Sequence, residues 1–294
     1  RGTLDWHTGT VGSGGFINDA PESADSGTSP AIGGRSVEGE FRNEGFFRIA
    51  HPITVHPGGS IVTTATSTTE FKDVMLGGVD GEPAPRLALQ GTVRHTGSNI
   101  TTFGLETDVA ADTTVDVQTG TLVFDEQTTV ASSDWSLGDD AEIGFEGGSI
   151  FNGVVEFAAP AKSDASVEFF GGIHLIQGEI GGDAEVGVDG GAELTSGRVA
   201  FGSGTSHELI LLNGTLRDVR NFGNVDVRRS GGVLEDFVNG RNIEFDGAGA
   251  GPNAAIRAGF TNGSIEEGQF ATAIQKTTVE FPSGANAVNS LGTW

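Results

Sequence analysis

The sequence predicts an all-β protein, a right-handed parallel β-solenoid (β-helix) with about three short strands per coil. Three observations predict it. Glycine accounts for 48 of the 294 residues without a period of three, short apolar runs alternate with polar residues, and glycine pairs recur at a similar spacing. A solenoid needs a short strand on each side of every coil and a tight corner between strands. Glycine suits these corners because it adopts positive φ angles at little cost.

The glycine pairs predict the length of a coil. They lie at Gly147-Gly148, Gly171-Gly172, Gly190-Gly191, Asn213-Gly214 and Gly231-Gly232. Their mean spacing, about 21 residues, accommodates three strands of four or five residues, each stacked about 4.8 Å from its counterpart in the next coil. The same dipeptides also form hairpins, and it is the spacing that favours the solenoid.

Alternation of residue types predicts a thin interior. In Val155-Glu156-Phe157 and Val186-Gly187-Val188 the apolar side chains point to one side of the strand and Glu or Gly to the other. Nineteen Phe and no Tyr predict that aromatic rings stack between coils inside the solenoid.

The predicted solenoid spans residues 1–246, with loop insertions at about 18–34 and 77–86. The first insertion is rich in Ser, Gly, Pro and Asp, and the second contains Pro83 and Pro85. The period fades after Phe245, so residues 247–294 are predicted to form a C-terminal cap or an inter-subunit strand segment. Within this segment Lys276–Phe281 (KTTVEF) has the composition of a strand.

Composition excludes several classes of function. The formal net charge of −24 repels phosphate backbones, so nucleic acid is not a predicted partner. The absence of Cys excludes disulfides, zinc–thiolate sites and thiol catalysis. No apolar stretch approaches the length of a membrane span.

Three phrases carry a resemblance to known proteins: GTLDWHTGTVGSGGFIND from residue 2, VEGEFRNEG from residue 37 and LALQGTVRHTGSNI from residue 87. They resemble the degenerate repeats of large bacterial and archaeal surface proteins, such as filamentous-haemagglutinin-like adhesins and autotransporter passengers. The resemblance covers roughly residues 2–245. It implies an extracellular or cell-surface β-helix that serves adhesion, filament formation or surface coating.

Acidic residues concentrate in the middle of the chain. Residues 105–195 contain 19 Asp and Glu and one basic residue, Lys162. The densest cluster, Asp139, Asp140 and Glu142, is the candidate metal site, with Ca²⁺ as the ion that carboxylates would select. The competing interpretation is a solvated outer face, and no resident cofactor is predicted.

Arginines concentrate later in the chain. The candidate interaction residues are Arg217, Arg220, Arg228, Arg229 and Arg241. Head-to-tail stacking of copies would bring them against the acidic middle of the next copy and build a homopolymer. The competing interpretation is pairing with carboxylates of the same chain.

These observations predict a structural rather than a catalytic protein: a self-assembling subunit of a surface filament or sheath, or an adhesin segment that binds surface glycans. The alternative is a polysaccharide lyase or a tailspike-type glycan depolymerase. Such enzymes need a basic residue or a carboxylate pair beside sugar-stacking aromatics. The sequence places no Lys or Arg next to Asp139 and Asp140, it contains no Tyr, and its Trp are limited to Trp6, Trp135 and Trp294, so no catalytic residue is predicted.

Overall fold

The computed structural model describes residues 9–18, 24–25, 35–160, 163–201, 209–227, 232–240, 243–246, 253–256, 260–262, 272–275, 278–280 and 287–289. All regular structure in these residues is β, and every pairing between strands is parallel. The predicted β-solenoid with three strands per coil is therefore confirmed. The chain divides into two compact units, residues 1–147 and 148–294.

Each coil of the first unit contributes one strand to each of three ladders. The first ladder consists of β1 (Gly9–Val11), β4 (Arg35–Val37), β7 (Ile53–Val55), β10 (Met75–Gly78), β13 (Ile100–Gly104), β16 (Thr121–Phe124) and β18 (Glu142–Phe145). The second consists of β2 (Phe16–Asn18), β5 (Glu40–Asn43), β8 (Ser60–Thr63), β11 (Arg86–Leu89), β14 (Glu106–Val109) and the start of β17 (Thr128–Leu137). The third consists of β3 (Ala24–Asp25), β6 (Phe46–Ile49), β9 (Thr68–Phe71), β12 (Thr92–His95), β15 (Thr114–Val117) and the end of β17.

The second unit repeats this arrangement. Its first ladder consists of β20 (Ser166–Phe170), β23 (Glu185–Asp189), β25 (Leu209–Leu211), β27 (Val225–Val227), β30 (Ile243–Asp246) and β33 (Thr272–Gln275). The long strands β19 (Ser149–Ala158), β24 (Glu193–Phe201) and β26 (Thr215–Asn221) serve both other ladders. The remaining strands are β21 (Ile173–Ile176), β28 (Val233–Glu235), β31 (Asn253–Ile256) and β34 (Thr278–Glu280) in the second ladder, and β22 (Glu179–Gly182), β29 (Val238–Asn239), β32 (Phe260–Asn262) and β35 (Ala287–Asn289) in the third.

Strand pairs continue beyond residue 246, where the sequence period fades. β34, which lies inside the predicted KTTVEF strand, pairs in parallel with β31 of the preceding coil. The predicted role of residues 247–294 as a cap or inter-subunit segment stays a prediction. The predicted insertion at 18–34 falls largely outside the described residues, whereas residues 79–85 connect β10 to β11.

Coil length varies around the predicted mean. Ile53 is in register with Leu76, and Leu76 with Phe103, so the second of these coils is the longer one. Phe103 is in register with Phe124, and Phe124 with Phe145, and these two coils are equal in length and match the predicted period. Parallel pairing constrains only the strands, so the connections absorb insertions such as residues 79–85.

Glycine serves the corners in two ways. Gly190 and Gly191 have φ angles of 61° and 82°, the left-handed conformation that the corner prediction requires. Gly214 has no such φ angle; instead, a Cβ there would lie 2.6 Å from Val188 Cγ1 and 2.9 Å from Ala192 O. Close approach of successive coils therefore excludes a side chain at Gly214.

Stacked rings fill the interior of the first unit, as the Phe content predicts. The ring centroid of Phe103 lies 4.8 Å from that of Phe71 and 5.3 Å from that of Phe124. Phe124 in turn stacks on Phe145 at 5.1 Å and contacts Trp135 at 5.8 Å. All five side chains are buried, so each ring replaces water contacts with contacts to the coils above and below it.

Buried polar side chains also bond from coil to coil. Asn18 donates its amide to Asn43 Oδ1 at 2.8 Å, and Asn43 donates to Thr69 Oγ1 at 2.8 Å. In the second unit, Asn221 donates to Asn239 Oδ1 at 2.8 Å. These bonds offset part of the cost of burying the amides, although Asn221 Oδ1 itself is buried without a hydrogen-bond partner, and they link successive coils through side chains as well as backbone.

We expect Phe103→Ala to lower the free energy of unfolding by about 3–5 kcal/mol, because it removes a ring that contacts rings in two neighbouring coils. Ile100→Ala in the same strand is the control, since Ile100 is 57% exposed and should cost less than about 1 kcal/mol. Urea denaturation followed by circular dichroism measures both. Equal losses in the two variants would show that the ring stack does not stabilise the coils.

Candidate functional site

The predicted acidic cluster lies at the surface of the first unit. Asp139 and Asp140 occupy the exposed turn before β18, and half-buried Glu142 begins that strand. Thr121 Oγ1 in the neighbouring coil donates to Glu142 Oε2 at 3.3 Å. No group of three or more His, Asp or Glu in the described part of the chain is placed to hold a metal ion. The assignment of Ca²⁺ to this cluster stays a prediction.

Several carboxylates of the acidic segment have cationic partners one coil away. Glu106 Oε2 lies 3.6 Å from Arg86 Nε, and Asp116 Oδ2 lies 3.6 Å from Arg94 Nε. The members of each pair are distant in sequence but occupy neighbouring strands of one ladder. These partners cannot be identified from neighbouring positions in the sequence, because the paired residues lie a full coil apart along the chain.

The arginine cluster is divided by the structure. Arg217 Nη1 lies 2.9 Å from Glu193 Oε1, and Arg217 Nε lies 3.2 Å from Glu235 Oε2, so this side chain bridges three coils of its own unit. Arg220 is exposed on β26, in register with Arg198 and Val238. The remaining candidates, Arg228, Arg229 and Arg241, lie outside the described residues.

The outward side of the third ladder in the first unit carries a charge ladder that sequence reasoning missed. Arg48, Glu70, Arg94 and Asp116 occupy one register column, one residue per coil, with alternating sign. Arg48 Nε lies 2.8 Å from Glu70 Oε1, and Arg94 pairs with Asp116 as described above. A parallel column of Thr68, Thr92 and Thr114 runs beside it. The detectable signal is the pattern in TTEF, TVRH and TVDV once these strands are aligned on their threonines.

An open groove crosses the third ladder of the second unit. Glu156, Gly181 and Ala200 are in register, and together they line a depression with a volume of about 360 Å³. Glu179 and Asp183 also line it, and Val154 at its edge is 59% exposed. Arg198 lies 3.3 Å from Glu179 and neutralises part of this charge. The groove therefore offers hydrogen-bond acceptors beside a small apolar surface.

A buried serine–histidine pair lies inside the second unit. Ser149 Oγ is 2.9 Å from His174 Nδ1, and His174 Nε2 is 2.8 Å from the carbonyl oxygen of Gly171. A carbonyl oxygen only accepts, so Nε2 carries the proton and the Ser149 hydroxyl donates to Nδ1. Burial lowers the pKa of His174 from 6.5 to about 4, against the smaller raising effect of the Gly171 carbonyl. The imidazole is consequently neutral at physiological pH.

We expect His174 to make the stability of the second unit sensitive to acid. Its folded pKa of about 4 lies below the unfolded value of 6.5, so the unfolded chain binds the extra proton between these values. Stability is then full above pH 6.5 and falls as the pH drops towards 4, by about 2–3 kcal/mol at pH 4.5.

Urea denaturation of wild type and His174→Gln at pH 7 and pH 4.5 measures this loss, because the difference between the two proteins cancels the contribution of the surface carboxylates. The same pH dependence in both would contradict a buried neutral imidazole.

Within the described residues, no helix has the length and apolar character that a membrane crossing requires. No family model matches this chain, and neither the curated proteins nor the solved structures include a match. The fold is compatible with the surface repeat proteins that the sequence resembles. What is established is a parallel β-solenoid whose outward side chains form register columns.

Proposed function

We propose that the chain is an extracellular structural protein of a cell surface, acting as a self-assembling subunit of a filament or sheath or as an adhesin segment. The observation that carries this proposal is the alignment of outward side chains in register columns, such as Thr68, Thr92 and Thr114. Each column repeats at the spacing between coils, about 4.8 Å. A repeating surface suits a repeating partner, either further copies of the chain or a polymeric glycan.

The scaffold supports such a role without disulfide bonds. Rings such as Phe103 and Phe124 stack from coil to coil, and Asn18 and Asn43 add buried hydrogen bonds between coils. Each coil is therefore fixed by its neighbours through backbone and side chains. The acidic exterior, with a net charge of −24, keeps such a surface hydrated and soluble at high salt.

Head-to-tail contact between copies is the proposed route to a filament. The ends of a parallel ladder present unpaired backbone groups that another chain can extend. The acidic segment 105–195 and the later arginines supply opposite charges for that contact. Arg217 already contacts two carboxylates of its own unit. Arg220 is exposed, but the strands β29, β32 and β35 follow it in the third ladder, so it is a candidate for a contact on the outward side of that ladder and not at its end.

Electron microscopy of the purified chain at high concentration tests assembly, and we expect filaments that shorten or disappear in Arg220→Glu. Arg86→Glu is the matched control, since it makes the same charge change at another exposed outward position. Dispersed monomers in wild type at all concentrations would contradict head-to-tail assembly, and equal effects of the two variants would contradict a role of Arg220 in contacts between copies.

Adhesion is tested by binding to an array of surface polysaccharides, with the groove of the second unit as the expected contact. We expect Ala200→Phe to fill the depression and to reduce binding at least tenfold, whereas Ile100→Phe in the first unit leaves binding unchanged. Release of unsaturated uronate fragments during the same incubation, abolished by Asp139→Asn or Asp140→Asn, would favour the lyase alternative instead.

A further inference from the structure

The order of signs in the charge ladder is self-complementary. Along Arg48, Glu70, Arg94 and Asp116 the charges read plus, minus, plus, minus, and in the reverse direction they read minus, plus, minus, plus. A second copy laid against this ladder in the antiparallel direction therefore meets an opposite charge at each of these four coils, and the next position at either end of the column places Asp25 opposite Ser136. Alternation of charge along the ladder explains the ion pairs within one chain. The same alternation also makes the ladder complementary to a second, antiparallel copy.

We propose that the outward side of the third ladder in the first unit is an antiparallel contact between two copies of this chain. The strands that form this contact are β6, β9, β12 and β15. Its two-fold axis runs parallel to the strands and passes between β9 and β12. Rotation about this axis reverses the order of the coils and keeps each column opposite itself. Arg48 then faces Asp116 of the second copy, and Glu70 faces Arg94 of the second copy.

The same rotation aligns the threonine column. Thr68 comes opposite Thr92 of the second copy, and Thr114 comes opposite Phe46 of the second copy, which occupies the same column as the threonines. These positions carry short side chains apart from Phe46, so the column offers a flat strip beside the charges. A flat strip allows two ladders to approach closely enough for ion pairs to form between them.

Charge distribution also singles out this surface. The four members of the charge ladder sum to zero, and the full column from Asp25 to Ser136 sums to −1, while the whole chain carries a net charge of −24. Two copies repel each other wherever their acidic surfaces meet, and they repel least where the facing surfaces are neutral and complementary. The proposed contact places the neutral surface of each copy at the point of closest approach.

The size of the contact sets its strength. Four coils about 4.8 Å apart and strands of four residues give a face of roughly 20 Å by 13 Å, well below the roughly 800 Å² per partner of a stable dimer. The contact is consequently weak in solution and gains strength where copies are crowded or tethered side by side. It is independent of the head-to-tail contact under the proposed function, which uses the ends of the ladders.

Charge-swap variants change the order of signs along the ladder at constant net charge. Exchanging Arg48 and Glu70 (Arg48→Glu with Glu70→Arg) keeps the pair between positions 48 and 70, but gives minus, plus, plus, minus, which also places like charges at positions 70 and 94 of the same chain. Antiparallel copies of this variant then place like charges opposite each other at all four coils. Adding the second exchange, Arg94→Asp with Asp116→Arg, gives minus, plus, minus, plus and restores complementarity between copies.

Sedimentation equilibrium at low salt, up to about 1 mM chain, measures self-association of the three proteins. We expect weak dimers of wild type that dissociate with added salt, at least a tenfold loss of affinity in the single exchange, and recovery in the double exchange. Equal affinities of wild type and single exchange, or a wild type that stays monomeric over the whole range, would overturn the proposal. Circular dichroism establishes that each variant is folded.

Disulfide trapping tests the geometry, and the chain contains no Cys to interfere. We expect a mixture of Thr68→Cys and Thr92→Cys chains to form a covalent heterodimer at least tenfold faster than a mixture of Thr54→Cys and Thr92→Cys chains. Thr54 is the control because it is exposed on the first ladder. Equal rates in the two mixtures would show that copies do not meet through the third ladder.

Discussion

In-register parallel pairing between successive coils is the constraint on which the rest of the structure depends. It places equivalent residues one above another, so one substitution pattern repeated along the sequence becomes a column in space. Inside, the columns become a stack of rings around Phe103 and Phe124. Outside, they become the charge ladder and the threonine column. Core stability and surface recognition therefore arise from the same register.

Much of the fold could be predicted from sequence, because its two main requirements are local. Alternation such as Val155-Glu156-Phe157 shows which side of a strand is buried, and corners such as Gly190-Gly191 need residues that accept positive φ. Exact coil lengths could not be predicted, because connections such as residues 79–85 vary freely between strands. Long strands were also missed: β26 bends at Asp218, which has a φ angle of 51°, without any glycine at the bend.

The candidate site was harder to predict, since its contacts join residues one coil apart. Glu106 has no basic neighbour in sequence, yet Arg86 in the preceding coil reaches it. The hydrogen bond between Ser149 and His174 was missed for the same reason, because these residues are 25 positions apart in the sequence. Aligning strands by register rather than by sequence order would have shown both. Arg217 illustrates the opposite error, because a cluster that looked available for another copy is satisfied within its own unit.

The register itself is most directly tested with pairs of cysteines in the otherwise cysteine-free chain. Thr92 and Thr114 are register partners on neighbouring strands, so Thr92→Cys with Thr114→Cys should form an intrachain disulfide readily under mild oxidation. Thr92→Cys with Asp116→Cys is displaced by two positions along the strand, which places the Cα atoms about 8 Å apart, beyond the reach of a disulfide. Rapid closure of the first pair alone supports the coil register described above. Preferential closure of the second pair would contradict it, and with it every column on which the proposed contacts depend.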